Sequence, residues 1–264
     1  MHFTHIKLKP TQRFDINFDP MGINNNVDIP AESLEMVKKY KKSKKLLEDY
    51  NKDLSIVFDD EMIFGFDYLH NGQKYIIPEI NPTTIFYSNA VMSHKRLISF
   101  REDLFKNSPT LKDFQKPINP NHFGDFFKLA SNCIINLQSS LESLANRLIP
   151  EDQEYKDKNG DEFEPSVFHK LNSTLPIIKN KTFNTKHNKD NQLIRKLIEL
   201  RNEIIHLKPV EKDTNTQYKI IYRKLLKFDY TKAIISVRKL VNFYEPNLIE
   251  ECECGKELYY DIFE

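Results

Sequence analysis

Residues 123–148 read FGDFFKLASNCIINLQSSLESLANRL, with Pro150 just beyond. Phe123, Phe126, Phe127, Ala130, Cys133, Ile134, Leu137, Leu141, Leu144, Ala145 and Leu148 recur at three- and four-residue steps. That spacing puts them on one stripe of a long α-helix, which Pro150 ends. Such a helix must bury its stripe against other elements, and its downstream neighbours are also helical in pattern. The expectation is a helical bundle over residues 116–246. Ser166 to Ile178 holds a short helix. Asp190 to Lys208 is a strong one, stopped by Pro209. Thr216 to Phe228 reads as a helix, with a strand as the alternative because Tyr218, Ile220 and Tyr222 alternate. Asp229 is the N-cap of a last helix ended by Pro246. Between these lie polar loops at 151–164 and 180–191.

Upstream the pattern changes. Asn107 to Asn121 carries Pro109, Pro117 and Pro120 and reads as a linker or domain boundary. Residues 1–115 read as a small α+β region. His5 to Lys9 and Phe14 to Phe18 alternate like short strands. Pro30 opens a helix over Ala31 to Tyr50. Ile63, Phe64, Phe66 and Tyr68 precede Asn71-Gly72, and Tyr75, Ile76 and Ile77 follow it, which signals a β-hairpin. A helical pattern returns over Ser88 to Asn107. The fold class expected is mainly α: a C-terminal antiparallel bundle, a small N-terminal α+β region with a hairpin, and a tail over 247–264.

The 264 residues are 39% hydrophobic and 29% charged, enough for a sizeable core and unlike a disordered chain. Net charge is +1, so any nucleic-acid site must be a local patch. With 6 glycines there is no Gly-rich phosphate loop. Cys133, Cys252 and Cys254 cannot build a disulfide framework. No apolar leader and no membrane span are legible, so a cytoplasmic protein is expected. Cys252-x-Cys254-Gly255 has half the ligands of a zinc knuckle, and Cys133 falls on an apolar helix face, so no metal or other cofactor is expected in the monomer.

The stretch DNQLIRKLIELRNEIIHLK, residues 190–208, bears on chemistry. Counting about 100° per residue from Leu193, Leu197, Leu200, Ile194, Ile198, Ile204 and Ile205 fill one face with it. Arg195, Lys196, Glu199 and Glu203 fill the other. Arg201 falls at about 80°, inside the apolar face, where a guanidinium needs an acceptor or a wet cleft. Asn202 and His206 fall at about 180° and 220°, on its rim. Taken alone, these residues read more plainly as a core arginine that salt-bridges or snorkels and a helix-terminal histidine. Glu142, off the apolar stripe of the long helix, either neutralises Arg201 or faces water.

The run Arg201-Asn202-Glu203-Ile204-Ile205-His206, R-N-x-x-x-H late on a bundle helix, resembles the HEPN (higher eukaryotes and prokaryotes nucleotide-binding) superfamily, over roughly residues 119–246. The resemblance implies a metal-independent endoribonuclease working as a homodimer, in which the motif helices of two protomers form one cleft. It implies that Arg201 binds the scissile phosphate, that His206 moves a proton at the 2′-OH or the leaving 5′-oxygen, and that Asn202 orients one of them or holds the dimer geometry. The product would be a 2′,3′-cyclic phosphate. It further implies a toxin or anti-phage defence setting, with an antitoxin or other regulatory partner. The alternative is a non-catalytic HEPN module that dimerises and binds nucleotide, RNA or protein. A third reading is a structural bundle with a buried arginine pair. Lys38, Lys39, Lys41, Lys42, Lys44 and Lys45 surround Tyr40, and Lys38, Lys39, Lys41 and Lys42 are RNA-backbone candidates, against the plainer reading of a solvated helix.

Overall fold

A computed structural model describes residues 6–15, 54–58, 61–113, 115–207 and 218–251. The chain forms two units: residues 9–81, and residues 82–264 together with the first eight. The division falls before Pro82, not near residue 115, because the helix that follows Asn81 belongs with the helices downstream.

Residues 9–81 carry a small antiparallel sheet. Its strands are β1 (Arg13–Asp15), β2 (Leu54–Phe58), β3 (Glu61–His70) and β4 (Gln73–Pro78). Ile63 pairs with Ile56 on one edge and Arg13 on the other, and Gly65 pairs with Leu54 and Pro78. β1 and β4 therefore run one after the other along the edge of β3 opposite β2. The expected hairpin is β3–β4. Asn71 and Gly72 both have positive φ, 50° and 78°, as a two-residue hairpin turn requires. Gly65 has no room for a side chain, because a Cβ would stand 2.6 Å from the Ile77 carbonyl oxygen and 2.4 Å from Ile56 Cδ1. Of the first two expected strands, His5–Lys9 contributes a single bridge, Ile6 to Glu251, and the second begins at Arg13. The expected helix over Ala31–Tyr50, with all the 38–45 lysines, lies outside the described residues.

The helical unit contains α1 (Pro82–Asn107), α2 (Pro120–Leu148), α3 (Val167–His169), α4 (Leu175–Ile178), α5 (Phe183–Lys186), α6 (Asn188–Ile205), α7 (Tyr218–Lys227) and α8 (Tyr230–Tyr244). A π turn, Lys170–Thr174, joins α3 to α4. α1 starts six residues before the expected Ser88, because its first turn packs on α2: Ser140 Oγ donates to Thr83 O at 2.9 Å. Asn132 Nδ2 donates to Ser93 Oγ at 2.7 Å, so α1 and α2 run antiparallel. The proline-rich stretch between them is thus a helix-to-helix connection and not a domain boundary. It sets the start of α2, where Asn119 Oδ1 accepts from Asn121 N at 3.0 Å and Pro120 takes the first helical position.

α2 lies at the centre. Phe126, Ala130, Cys133, Ile134, Leu137, Leu141, Leu144 and Ala145 are completely buried. Burial of each large aliphatic or aromatic side chain contributes about 1.5–3 kcal/mol against the entropy of ordering it. Of the expected 216–228 stretch, Tyr218–Lys227 is helical, as α7, and not a strand. Asp229 caps α8 as expected, its Oδ1 accepting from Lys232 N at 3.0 Å. α8 packs back onto α1: Tyr87 Oη donates to Ile234 O at 3.3 Å, and His94 Nε2 lies 2.9 Å from Thr231 Oγ1. Among the described residues no helix is long and apolar enough to cross a membrane.

Candidate functional site

α6 positions the three motif residues. Its core-facing side chains Ile194, Leu197, Ile198, Leu200 and Ile204 are buried, while Arg195, Lys196 and Glu199 are exposed. Ile205 departs from the expected pattern: it stands 49% exposed, although its angle places it with the buried set. Within the last turn Ile204 is still buried while Ile205 is not, so the cover there is narrower than the apolar face the helical angles define.

Arg201 is half-buried. Its Nη1 donates to Asn202 Oδ1 at 3.3 Å, and its Nε is shielded from solvent with no acceptor among the described residues. Glu142 does not neutralise it; Glu142 Oε2 accepts from Gln138 Nε2 at 3.0 Å instead. No described carboxylate forms an ion pair with Arg201. Asn202 and His206 are exposed. His206 closes α6: its backbone N–H donates to Asn202 O at 3.0 Å while its own φ and ψ, −104° and 35°, leave the helix. Helical spacing thus brings Arg201, Asn202 and His206 to one end of α6. Chemically the set offers a fixed cation, an amide and an imidazole facing solvent.

Two further features here were not among the residues expected from the sequence. Lys224 of α7 reaches Glu203 at 2.6 and 2.8 Å and neutralises the carboxylate three residues before His206. Tyr222 packs against Phe123 and Phe127 of α2, with ring centroids 4.9 and 5.5 Å apart, and fixes α7 to the start of α2. The four-residue spacing of Tyr218 and Tyr222 on a helix was the available signal.

A hollow of about 680 Å³ lies elsewhere, in the 151–164 loop. Glu151, Asp152, Glu154, Glu162 and Glu164 line it, and such a field repels an anionic substrate. Among the described residues no three His, Cys, Asp or Glu side chains are grouped to hold a metal ion. Cys133 is buried in α2, and burial drives its thiol upward, away from ionisation. Cys252, Cys254, Lys38, Lys39, Lys41 and Lys42 fall outside the described residues. Comparison with protein-family models, with curated proteins and with solved structures found no match for this chain.

Proposed function

We propose that this protein is an endoribonuclease of HEPN type that cleaves RNA by attack of the ribose 2′-OH. The observation that carries the reading is Arg201. It occupies a core-facing angle of α6 and is half-buried, yet has no carboxylate partner among the described residues, and an exposed histidine ends the same helix. A cation so placed suits an external anion better than it suits a closed core.

The chemistry needs only these residue types. The 2′-oxygen attacks phosphorus and loses its proton, the bond to the 5′-oxygen breaks, and that oxygen gains a proton. The products are a 2′,3′-cyclic phosphate and a 5′-hydroxyl. The nucleophile belongs to the substrate, so no metal-bound water is required. Arg201 holds the phosphoryl oxygens on which charge builds. His206 moves one of the two protons. Asn202 holds the Arg201 guanidinium through its Oδ1. α6 carries one histidine at this end, and a second copy of the α6 end supplies the other proton-transfer group in a homodimer. The setting implied by the resemblance is a toxin or anti-phage effector.

Total RNA incubated in excess EDTA with wild type and with His206→Ala tests the reading. Cleavage by wild type alone, leaving cyclic phosphate termini, is the expected result. Cleavage retained in His206→Ala, or cleavage abolished by EDTA, overturns it. The non-catalytic alternative draws on one observation: no described side chain hydrogen-bonds the His206 ring to orient it. It predicts RNA or nucleotide binding with no turnover in either protein.

A further inference from the structure

α7, Tyr218–Lys227, reads YKIIYRKLLK: four cations and no acid in ten residues. Its inner side is set by Leu225, which is completely buried, and by Tyr222 on the α2 aromatics. Lys219, Arg223 and Lys227 follow one another at four-residue steps on the other side, and all three are exposed. A four-residue step advances about 6 Å along a helix, so the stripe is a row of cations and not a point. Arg223 and Lys227 form no ion pair among the described residues. Their charge is therefore not consumed by a described carboxylate: Glu203 of α6 is taken by Lys224, and Asp229 by Lys232.

The Glu203–Lys224 pair sets where the row begins. Glu203 stands three residues before His206 on α6, and side chains three apart on a helix are surface neighbours. Lys224 thus clamps α7 one helical step from His206, on the side away from Arg201. It also removes the one described carboxylate of the motif run, which would otherwise repel a phosphate beside the histidine. Going around the end of α6 the order is Arg201, Asn202, His206, Glu203 with Lys224, and then the cationic side of α7.

We propose that α7 is an RNA-backbone-binding surface that continues the Arg201–His206 site, so that the strand flanking the scissile phosphate runs over Arg223 and Lys227. This rests on the reading of Arg201 and His206 as a site for RNA. The contacts are to phosphates and carry no base sequence. The surface fixes register and affinity and leaves sequence choice to other parts of the molecule.

The test is binding of a fluorescein-labelled single-stranded RNA 20-mer, read by anisotropy across a salt series. The parent protein is the full chain with His206→Ala, which prevents turnover, and the variant adds Arg223→Gln and Lys227→Gln. Each single-strand phosphate contact contributes about 0.7 to the slope of log K against log salt, so two lost contacts reduce it by about 1.4. Over the decade from 1 M to 0.1 M salt that slope corresponds to about 25-fold weaker binding at 0.1 M. Thermal melting and solution mass should stay as in the parent, since both side chains are exposed. An unchanged slope overturns the proposal. So does absence of RNA binding by the parent, or a change of oligomeric state in the variant, which would make α7 a protein interface. Total RNA cleaved by wild type with an unchanged salt slope sinks this proposal and leaves the ribonuclease standing. An α7-dependent slope without cleavage by wild type does the reverse.

Discussion

Acidification should weaken this fold through one buried histidine. His94 lies on α1 with 1% of its surface exposed, its Nε2 2.9 Å from Thr231 Oγ1 in the first turn of α8. Burial disfavours the imidazolium and lowers its pKa from 6.5 to about 4, against the opposing pull of the Asp229 carboxylate. The folded value is below the unfolded one. Between the two, the unfolded chain takes up a proton that the folded chain refuses, so stability falls as pH drops through that window. Linkage over that interval gives a loss of roughly 2 kcal/mol between pH 7.5 and pH 5 from this one group. Asp229 also titrates, and its burial, which raises its pKa, is outweighed by hydrogen bonds from the backbone and side chain of Lys232 and by the charges of Lys232 and Arg101. The assay must therefore isolate His94. Urea unfolding of wild type and His94→Gln at both pH values does so, because glutamine does not titrate and effects common to both proteins cancel. Wild type should lose roughly 2 kcal/mol more than the variant. A double difference near zero, or of opposite sign, would refute the placement of a neutral imidazole in this core.

Arg201→Ala should leave the melting transition nearly unchanged, at a cost of about 1 kcal/mol or less, because no described buried partner is left uncompensated. A loss of about 3–5 kcal/mol would mark a buried ion pair and support the structural-bundle reading. Gly72→Ala should cost about 1 kcal/mol in chemical denaturation, from backbone strain at φ 78° alone, since nothing crowds its side chain position. Gly65→Ala should cost more than Gly72→Ala, because its Cβ meets the fixed Ile77 carbonyl oxygen; equal costs would contradict the β3–β4 register. In a Cys252→Ala, Cys254→Ala protein, Cys133 should react with a thiol reagent only as the fold opens, so its rate should follow the unfolding equilibrium in urea.

Several elements were legible because their cause is local. The stripe from Phe123 to Leu148 specifies α2 by its period: eight of its eleven residues are buried and Phe123, Phe127 and Leu148 partly so, while the buried Gln138 and Ser140 fall outside it. Asn71-Gly72 specifies its turn by tolerance of positive φ, and Asp229 specifies a helix start by offering its carboxylate to Lys232 N. The linker reading of residues 107–121 failed for the opposite reason. Proline and polar residues show that a helix stops, but not whether the next helix turns back against it. Asn132 and Ser93 meet across that connection, and only their meeting shows that α1 belongs with α2.

At the candidate site the division is sharper. By itself the sequence determined that Arg201, Asn202 and His206 share one end of a helix, since spacings of one, four and five residues keep them within about a turn and a half. It also put Arg201 and Ile205 at apolar angles, which a wheel treats as equivalent to those of Ile194 and Ile198. Tertiary structure decided that they are not equivalent, because burial depends on which neighbours reach a given turn. It likewise decided that Lys224 takes Glu203, and that His94 is sealed against α8. Periodicity is a one-dimensional property of a segment. The covering of a face, the pairing of charges 21 residues apart and the desolvation of a histidine by a helix 137 residues away are set by packing between segments.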